Sequence, residues 1–273
     1  MASRIERILI LAKTYPSPSS QYVETSCVAG VTDSGCMRRL YPVPFRLIEH
    51  GHQFKKWQWI DVRVEKASKD RRPESHRVFV DTVELRDRMN TNHGWRDRRS
   101  LLDRLPTFTD FGALDRARLD DGVSLALLKP ARILGLEISK ARNTDWTAEE
   151  REKLMRDQMD LFSEAEAKAE VRELRKVPYD FHYRYSCDTP DGPVEHCHKI
   201  VDWEAGQLYW NCVKSHGPVW EEPFRKKLET ELIGKDLMFF MGNMHRFQAQ
   251  WLIVSLIYPP KLAPHELGQG QLF

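Results

Sequence analysis

The chain has 273 residues, enough for one large core or two modest ones, with 41% hydrophobic and 30% charged residues, a balance that fits a folded rather than a disordered chain. No apolar run approaches the ~20 residues of a membrane helix, so the reading is a soluble, cytoplasmic protein with no membrane partner. Net charge is only +2, but residues 1–100 hold 19 Lys and Arg against 12 Asp and Glu, while the rest hold 23 against 28, an asymmetry that permits an anionic partner on the first half without requiring one.

Arg4 and Arg7 precede the apolar run Ile8 to Ala12, too short for a signal-peptide core and read as a first strand. Tyr15 to Ser20, with two prolines, is a loop. Glu24 to Val31 is a second strand, Asp33 and Gly35 suit a turn, and Cys36 to Tyr41 returns. From Trp57 to Lys66 the residues alternate. Ile60, Val62 and Val64 point to a core, while Trp57, Trp59, Asp61, Arg63 and Glu65 share the other face.

Residues 81–105 read as helical and highly charged, interrupted by Gly94. Short strands follow at Ser124 to Leu128 and Arg132 to Ile138. Thr147 and Glu150 form a capping box that opens a polar helix reaching about Lys176, a docking surface for a protein partner. Strands are expected at Phe181 to Ser186, Gly206 to Cys212, Leu237 to Phe240 and Trp251 to Pro259. Pro223 and Gly234 bound a short helix between them, and 259–273 form a tail.

The segment Cys27-Val28-Ala29-Gly30-Val31, followed by Gly35-Cys36-Met37-Arg38-Arg39-Leu40-Tyr41-Pro42 and preceded by Ile8 to Lys13, resembles the dual-OB-containing domain family over residues 7–66. The resemblance implies an OB barrel and a nucleic-acid ligand in a bacterial nucleic-acid-handling or antiviral defence system. The fold class is then α+β. An N-terminal OB-like β-barrel spans 1–90, a helical insertion or bridge 91–176, and a C-terminal strand-rich mixed α/β portion 177–273. On such a barrel Arg38, Arg39, Lys55, Lys56 and Arg63 would neutralise phosphates, and Tyr41, Trp57 or Trp59 would stack bases of single-stranded DNA or RNA. The alternative places the rings in a core and leaves the cations as ordinary surface groups.

Two further clusters carry chemistry. Cys187, His196, Cys197 and Cys212 offer soft and borderline ligands for zinc, although no Cys-x-x-Cys pair exists and ordinary loop thiols and histidines are the simpler account of them. Asp202 and Glu204, on one face of an expected strand with His198 nearby, would hold magnesium or share acid–base work in a nucleic-acid-directed enzyme. Gly242 and Asn243 suit a hairpin turn whose His245 and Arg246 would reach a ligand or, more simply, form its polar end. Walker A, Rossmann, nucleophile-elbow and zinc-protease motifs are absent. Whether the chain is an enzyme, and its oligomeric state, stay open at this point.

Overall fold

A computed structural model describes residues 2–18, 24–48, 52–150, 152 and 174–262. Most of the polar helix expected after Trp146, including Leu154, Leu161 and Phe162, lies outside the described residues. Its capping box lies within them. Thr147 N–H donates to Glu150 Oε2 (2.8 Å) and Glu150 N–H to Thr147 Oγ1 (3.2 Å).

The N-terminal half is an OB-like closed barrel. Its strands are β1 (Arg4–Lys13), β3 (Glu24–Thr32), β4 (Met37–Val43), β5 (Gln58–Lys66) and β6 (Ser75–Val78), with short β2 (Ser17–Pro18) and β7 (Glu84–Arg88) attached to β3 and β5. The sheet runs β1-β3-β4-β6-β5, and pairing of β5 with β1 closes the ring. The β4–β6 pair is parallel, Arg39 opposite Ser75 and Leu40 opposite His76, while the neighbouring pairs are antiparallel. Alternation fills the barrel as the sequence predicts. Ile60, Val62 and Val64 meet Ile8, Ile10, Val28 and Leu40 inside. Gly30 is required where β3 crosses β1, since a Cβ there would lie 2.1 Å from the Leu9 carbonyl oxygen.

A short helix, α1 (Asn92–Leu102), bridges to the second half. There β8 (Thr107–Phe108), β9 (Leu125–Leu128), β10 (Arg132–Lys140), β11 (Tyr179–Thr189), β12 (Gly192–Ile200), β13 (Met238–Asn243) and β14 (Trp251–Ile257) form one sheet, ordered β10-β11-β12-β14-β13-β9-β8. Helix α2 (Phe111–Asp121) follows β8. Helices α3 (Trp203–His216) and α4 (Glu221–Arg225), the latter continuing as a π turn over Lys226–Leu232, pack on the sheet around Tyr183, Phe224 and Phe239.

This sheet corrects the resemblance to a dual-OB architecture. Its ends, β10 and β8, do not pair, so it stays open and makes no second barrel. The reason is physical: both faces are already covered. Helices cover Ala126, Leu128, Phe239, Met241 and Ile253, and the barrel covers Leu125, Leu127, Phe240 and Val254. A sheet buried on both sides gains nothing by curling shut.

Other local readings change as well: within 81–105, expected to be helical, Glu84–Arg88 is strand β7 and pairs with β5. Residues 206–212 belong to α3 rather than to a strand, because Asp202 caps them and Ala205, Tyr209 and Cys212 bury one helical stripe. Gly242 and Asn243 lie within β13, and the turn falls in the following residues 244–250.

Barrel and sheet are joined by a seam of buried apolar side chains, with Leu9, Leu11, Ala29, Val31 and Met37 against Leu125, Leu127, Met238, Phe240 and Val254. Buried polar contacts fix its register. Arg39 donates to the Ser124 carbonyl oxygen (2.8 Å), and Arg72 to that of Asn243 (2.6 Å). Lys56 donates to the carbonyl oxygen of Leu256 (2.6 Å) and lies 3.9 Å from Asp202 Oδ2, which accepts from the Leu256 N–H (2.9 Å). Removing one member of a buried charged set strands the other, at a cost of about 3–5 kcal/mol. Asp202→Ala, which also strips the α3 cap, is therefore expected to lower the urea midpoint by a loss of that order. An unchanged midpoint would show that the Lys56–Asp202 contact does not hold the seam.

Candidate ligand cleft at the barrel pole

The residues expected to hold nucleic acid do not form one track. Trp57 precedes β5 with a left-handed φ of 64° and is buried in the seam, its ring under the Arg98 guanidinium (4.6 Å) and beside Trp95. Arg39 is equally buried. Arg38 is tied to Glu6 by two hydrogen bonds (2.6 and 2.9 Å). Arg63 lies over the Phe79 ring (4.3 Å), and Trp59 lines a shallow hollow with Arg7 and Arg86 on the barrel wall. Tyr41 is exposed, its hydroxyl 3.5 Å from Thr25 Oγ1.

OB barrels use the face of their second and third strands, here β3 and β4, to hold oligonucleotides. In this chain Ala29, Val31, Met37 and Arg39 of that face lie under the second sheet. The usual OB surface is therefore covered.

The proposed zinc ligands separate in the same way. Cys187 and Cys212 are buried, whereas Cys197 is exposed on the opposite side of β12 from its neighbour His196. Among the described residues, no three His, Cys, Asp or Glu side chains converge as a metal site requires. Nor do Asp202 and Glu204 frame a magnesium site. Asp202 Oδ1 accepts from the Glu204 N–H (2.8 Å) as helix cap, and the Lys56 ammonium stands 3.3 Å from Glu204 Oε2, where a cation would sit. His198 faces elsewhere, with Nδ1 3.0 Å from the Tyr185 hydroxyl and its ring against Phe111.

What the structure does bring together comes from two of those sets. Lys55, Lys56, Asp202 and Glu204 line one cavity of about 440 Å³ at the pole where β1 ends, β5 begins and α3 starts. Lys13, Arg88, Lys227, Trp203 and Tyr258 complete its wall. A second cavity of about 310 Å³ adjoins it through Trp203 and Gln207, with Tyr15, Phe45, Arg46, Arg175 and Trp210 around it. Trp210 Nε1–H donates to the Tyr15 hydroxyl (2.9 Å), and the Arg175 guanidinium lies 4.0 Å from the Trp210 ring centre. Gly206 lets α3 approach closely, since a Cβ there would come within 2.3 Å of the Tyr15 ring.

Positive charge dominates this cleft. Seven cations (Lys13, Arg46, Lys55, Lys56, Arg88, Arg175 and Lys227) line the two cavities against the carboxylates of Asp202 and Glu204. Asp202 is buried, which pushes its carboxyl pKa up, while Lys56 and two backbone N–H donors pull the other way. Glu24 lies beneath the cleft with Arg46 Nε 3.4 Å from its Oε1, and burial raises its pKa. Lys13 was not among the residues expected to matter. The signal was a lone lysine closing an apolar strand, where the ammonium must find a partner or lose its proton.

The molecule is thus of a defined class: an OB-like barrel fused, through a bridging helix, to an open mixed sheet with helices on one face. Residues 4–104 match a family profile described as a domain of unknown function, DUF8758. Residues 107–273 match a second, the domain of unknown function DUF8757. Since the latter covers more than half of the chain, the protein belongs to the DUF8757 family. No curated protein matches the chain.

His198 gives a pH test of the sheet that backs the cleft. Burial first, then the charges of His196 and His182, push its pKa down to about 4. The unfolded chain therefore takes up a proton first as pH falls below about 6.5. Stability is full above that pH and declines until about 4, by roughly 3 kcal/mol. Urea titrations at pH 7 and pH 4.5 should show wild type losing clearly more stability than His198→Gln. Parallel losses in the two proteins would rule this coupling out.

Proposed function

We propose that the protein binds nucleic acid, and that a single-stranded stretch lies in the cleft at the barrel pole. The observation that carries this reading is the gathering of seven cations with Trp203, Trp210 and Tyr258 along two adjoining cavities. Phosphates attract such a cationic lining, and bases stack on rings with little regard to sequence. The OB-like barrel agrees with this ligand class, although its covered strand face moves the contact to the pole. No helix among the described residues is long and apolar enough to cross a membrane.

The cleft predicts a two-part signature. Each phosphate contact on a single strand contributes about −0.7 to the slope of log Kobs against log salt. Lys55 is exposed at the cavity rim, so Lys55→Ala should weaken binding of a labelled single-stranded oligonucleotide and flatten that slope by about one contact. Trp203→Ala should cost about 1–3 kcal/mol of affinity with the slope unchanged. Fluorescence anisotropy from 50 to 200 mM salt reads both. No binding at the lowest salt, or binding indifferent to both changes, would remove the cleft from consideration.

A further inference from the structure

We propose that the Lys13 amine is a nucleophile that captures a phosphate-bearing aldehyde in this cavity as an imine. The ring-opened sugar of an abasic nucleic-acid site is the ligand of that chemistry, an assignment that rests on the nucleic-acid reading above.

The argument begins with what surrounds the amine. Lys13 Nζ lies 3.8 Å from the Phe45 ring centre, with Trp203 at 5.6 Å and Phe54 at 5.9 Å. It donates one hydrogen bond, to the Phe54 carbonyl oxygen (3.2 Å). The nearby carboxylates belong instead to Lys56, which lies 3.3 Å from Glu204 and 3.9 Å from Asp202. Lys13 is therefore a half-buried amine in a cage of aromatic rings, within electrostatic reach of the Lys56 ammonium and open to a cavity. Desolvation and a neighbouring cation are the two devices that turn a lysine into a nucleophile at moderate pH. Burial leads in lowering the Lys13 pKa to about 8, with Lys56 adding to it and the charges of Glu204 and Asp202 opposing it.

The groups facing Lys13 from each packed element assign the rest of the ligand. Lys55, Arg88 and Lys227 line the same cavity and are placed to hold phosphate oxygens, leaving Lys13 on the caged side for a neutral, electrophilic carbon. Tyr258, on the strand side, has its own pKa raised, mainly by burial, and keeps its proton.

The step balances without any oxidant. The nitrogen lone pair adds to the carbonyl carbon, and the C=O π pair moves to oxygen. That oxygen receives the proton lost from nitrogen, giving a carbinolamine. Departure of the oxygen as water, pushed by the nitrogen lone pair, leaves the C=N bond.

Reductive trapping tests this on the full chain. One arm uses a labelled oligonucleotide with a single abasic site, a second uses pyridoxal 5′-phosphate as a free phosphorylated aldehyde, and both contain sodium cyanoborohydride. Peptide mapping should place the reduced adduct on Lys13, with yield rising through about pH 8. Lys13→Arg should lose at least tenfold of the adduct, and Lys69→Arg, exposed beyond the opposite end of β5, should lose none. Adduct in the first arm assigns the abasic strand, and adduct at Lys13 in the second arm alone assigns a free aldehyde. Binding of intact oligonucleotide is measured separately, so loss of the nucleic-acid reading is seen apart from loss of the amine. If Lys13→Arg misfolds, the wild-type map still decides. Adducts scattered over surface lysines with a midpoint near pH 10, or none in either arm, overturn the proposal.

Discussion

A charge held in the seam between barrel and sheet organises the molecule. Taking an ammonium and a carboxylate out of water costs several kcal/mol per ion, repaid only where geometry and hydrogen bonding are nearly complete. Lys56 and Asp202 meet that demand with the backbone of Leu256. The lysine donates to its carbonyl oxygen, and the aspartate accepts from its N–H. Since Lys56 leads into β5, Asp202 starts α3 and Leu256 lies in β14, one small knot sets the barrel pole, a helix start and a central sheet strand against each other. The cleft is a by-product of that arrangement, its cations drawn from widely separated parts of the chain, from Lys13 to Lys227.

The same seam explains why the usual ligand face of an OB barrel is not open here. Its second and third strands offer Ala29, Val31 and Met37 outward, an apolar surface that suits a neighbouring sheet better than a charged polymer. With that face covered, what the barrel leaves open is its pole, where β1 ends in Lys13 and the chain before β5 contributes Lys55 and Lys56. On the proposed reading, fold and ligand class agree while the contact surface moves.

Much of the barrel was legible because period-two alternation is local. Ile60, Val62 and Val64 announce a strand with one buried face, and they build one. Trp57 misleads for an equally local reason. It stands two residues before Trp59, but a positive φ takes it out of the strand and turns it into the seam. The Asp-x-Glu at 202 and 204 reads as an alternating pair only if a strand is assumed. An Asp followed by Ala205, Tyr209 and Cys212 at helical spacing was the available sign of a capped helix. Some features have no local signature. Nothing near Lys13 in the chain reveals that Trp203 will lie 5.6 Å from its amine. Nor does any single strand report whether its sheet will close, which depends on what covers both faces.

The covered strand face also bears on how the chain can be divided. The two matched regions meet between residues 104 and 107, an inviting place to cut. Severed there, the first piece would carry a bare oily wall from Leu9 to Met37, and the second would lose the cover over Leu125, Leu127 and Phe240. Such walls stick to one another and to passing chains. The two regions are better regarded as halves of one folding unit than as beads on a string, and a gene that kept only one would need to supply a substitute lining from another polypeptide.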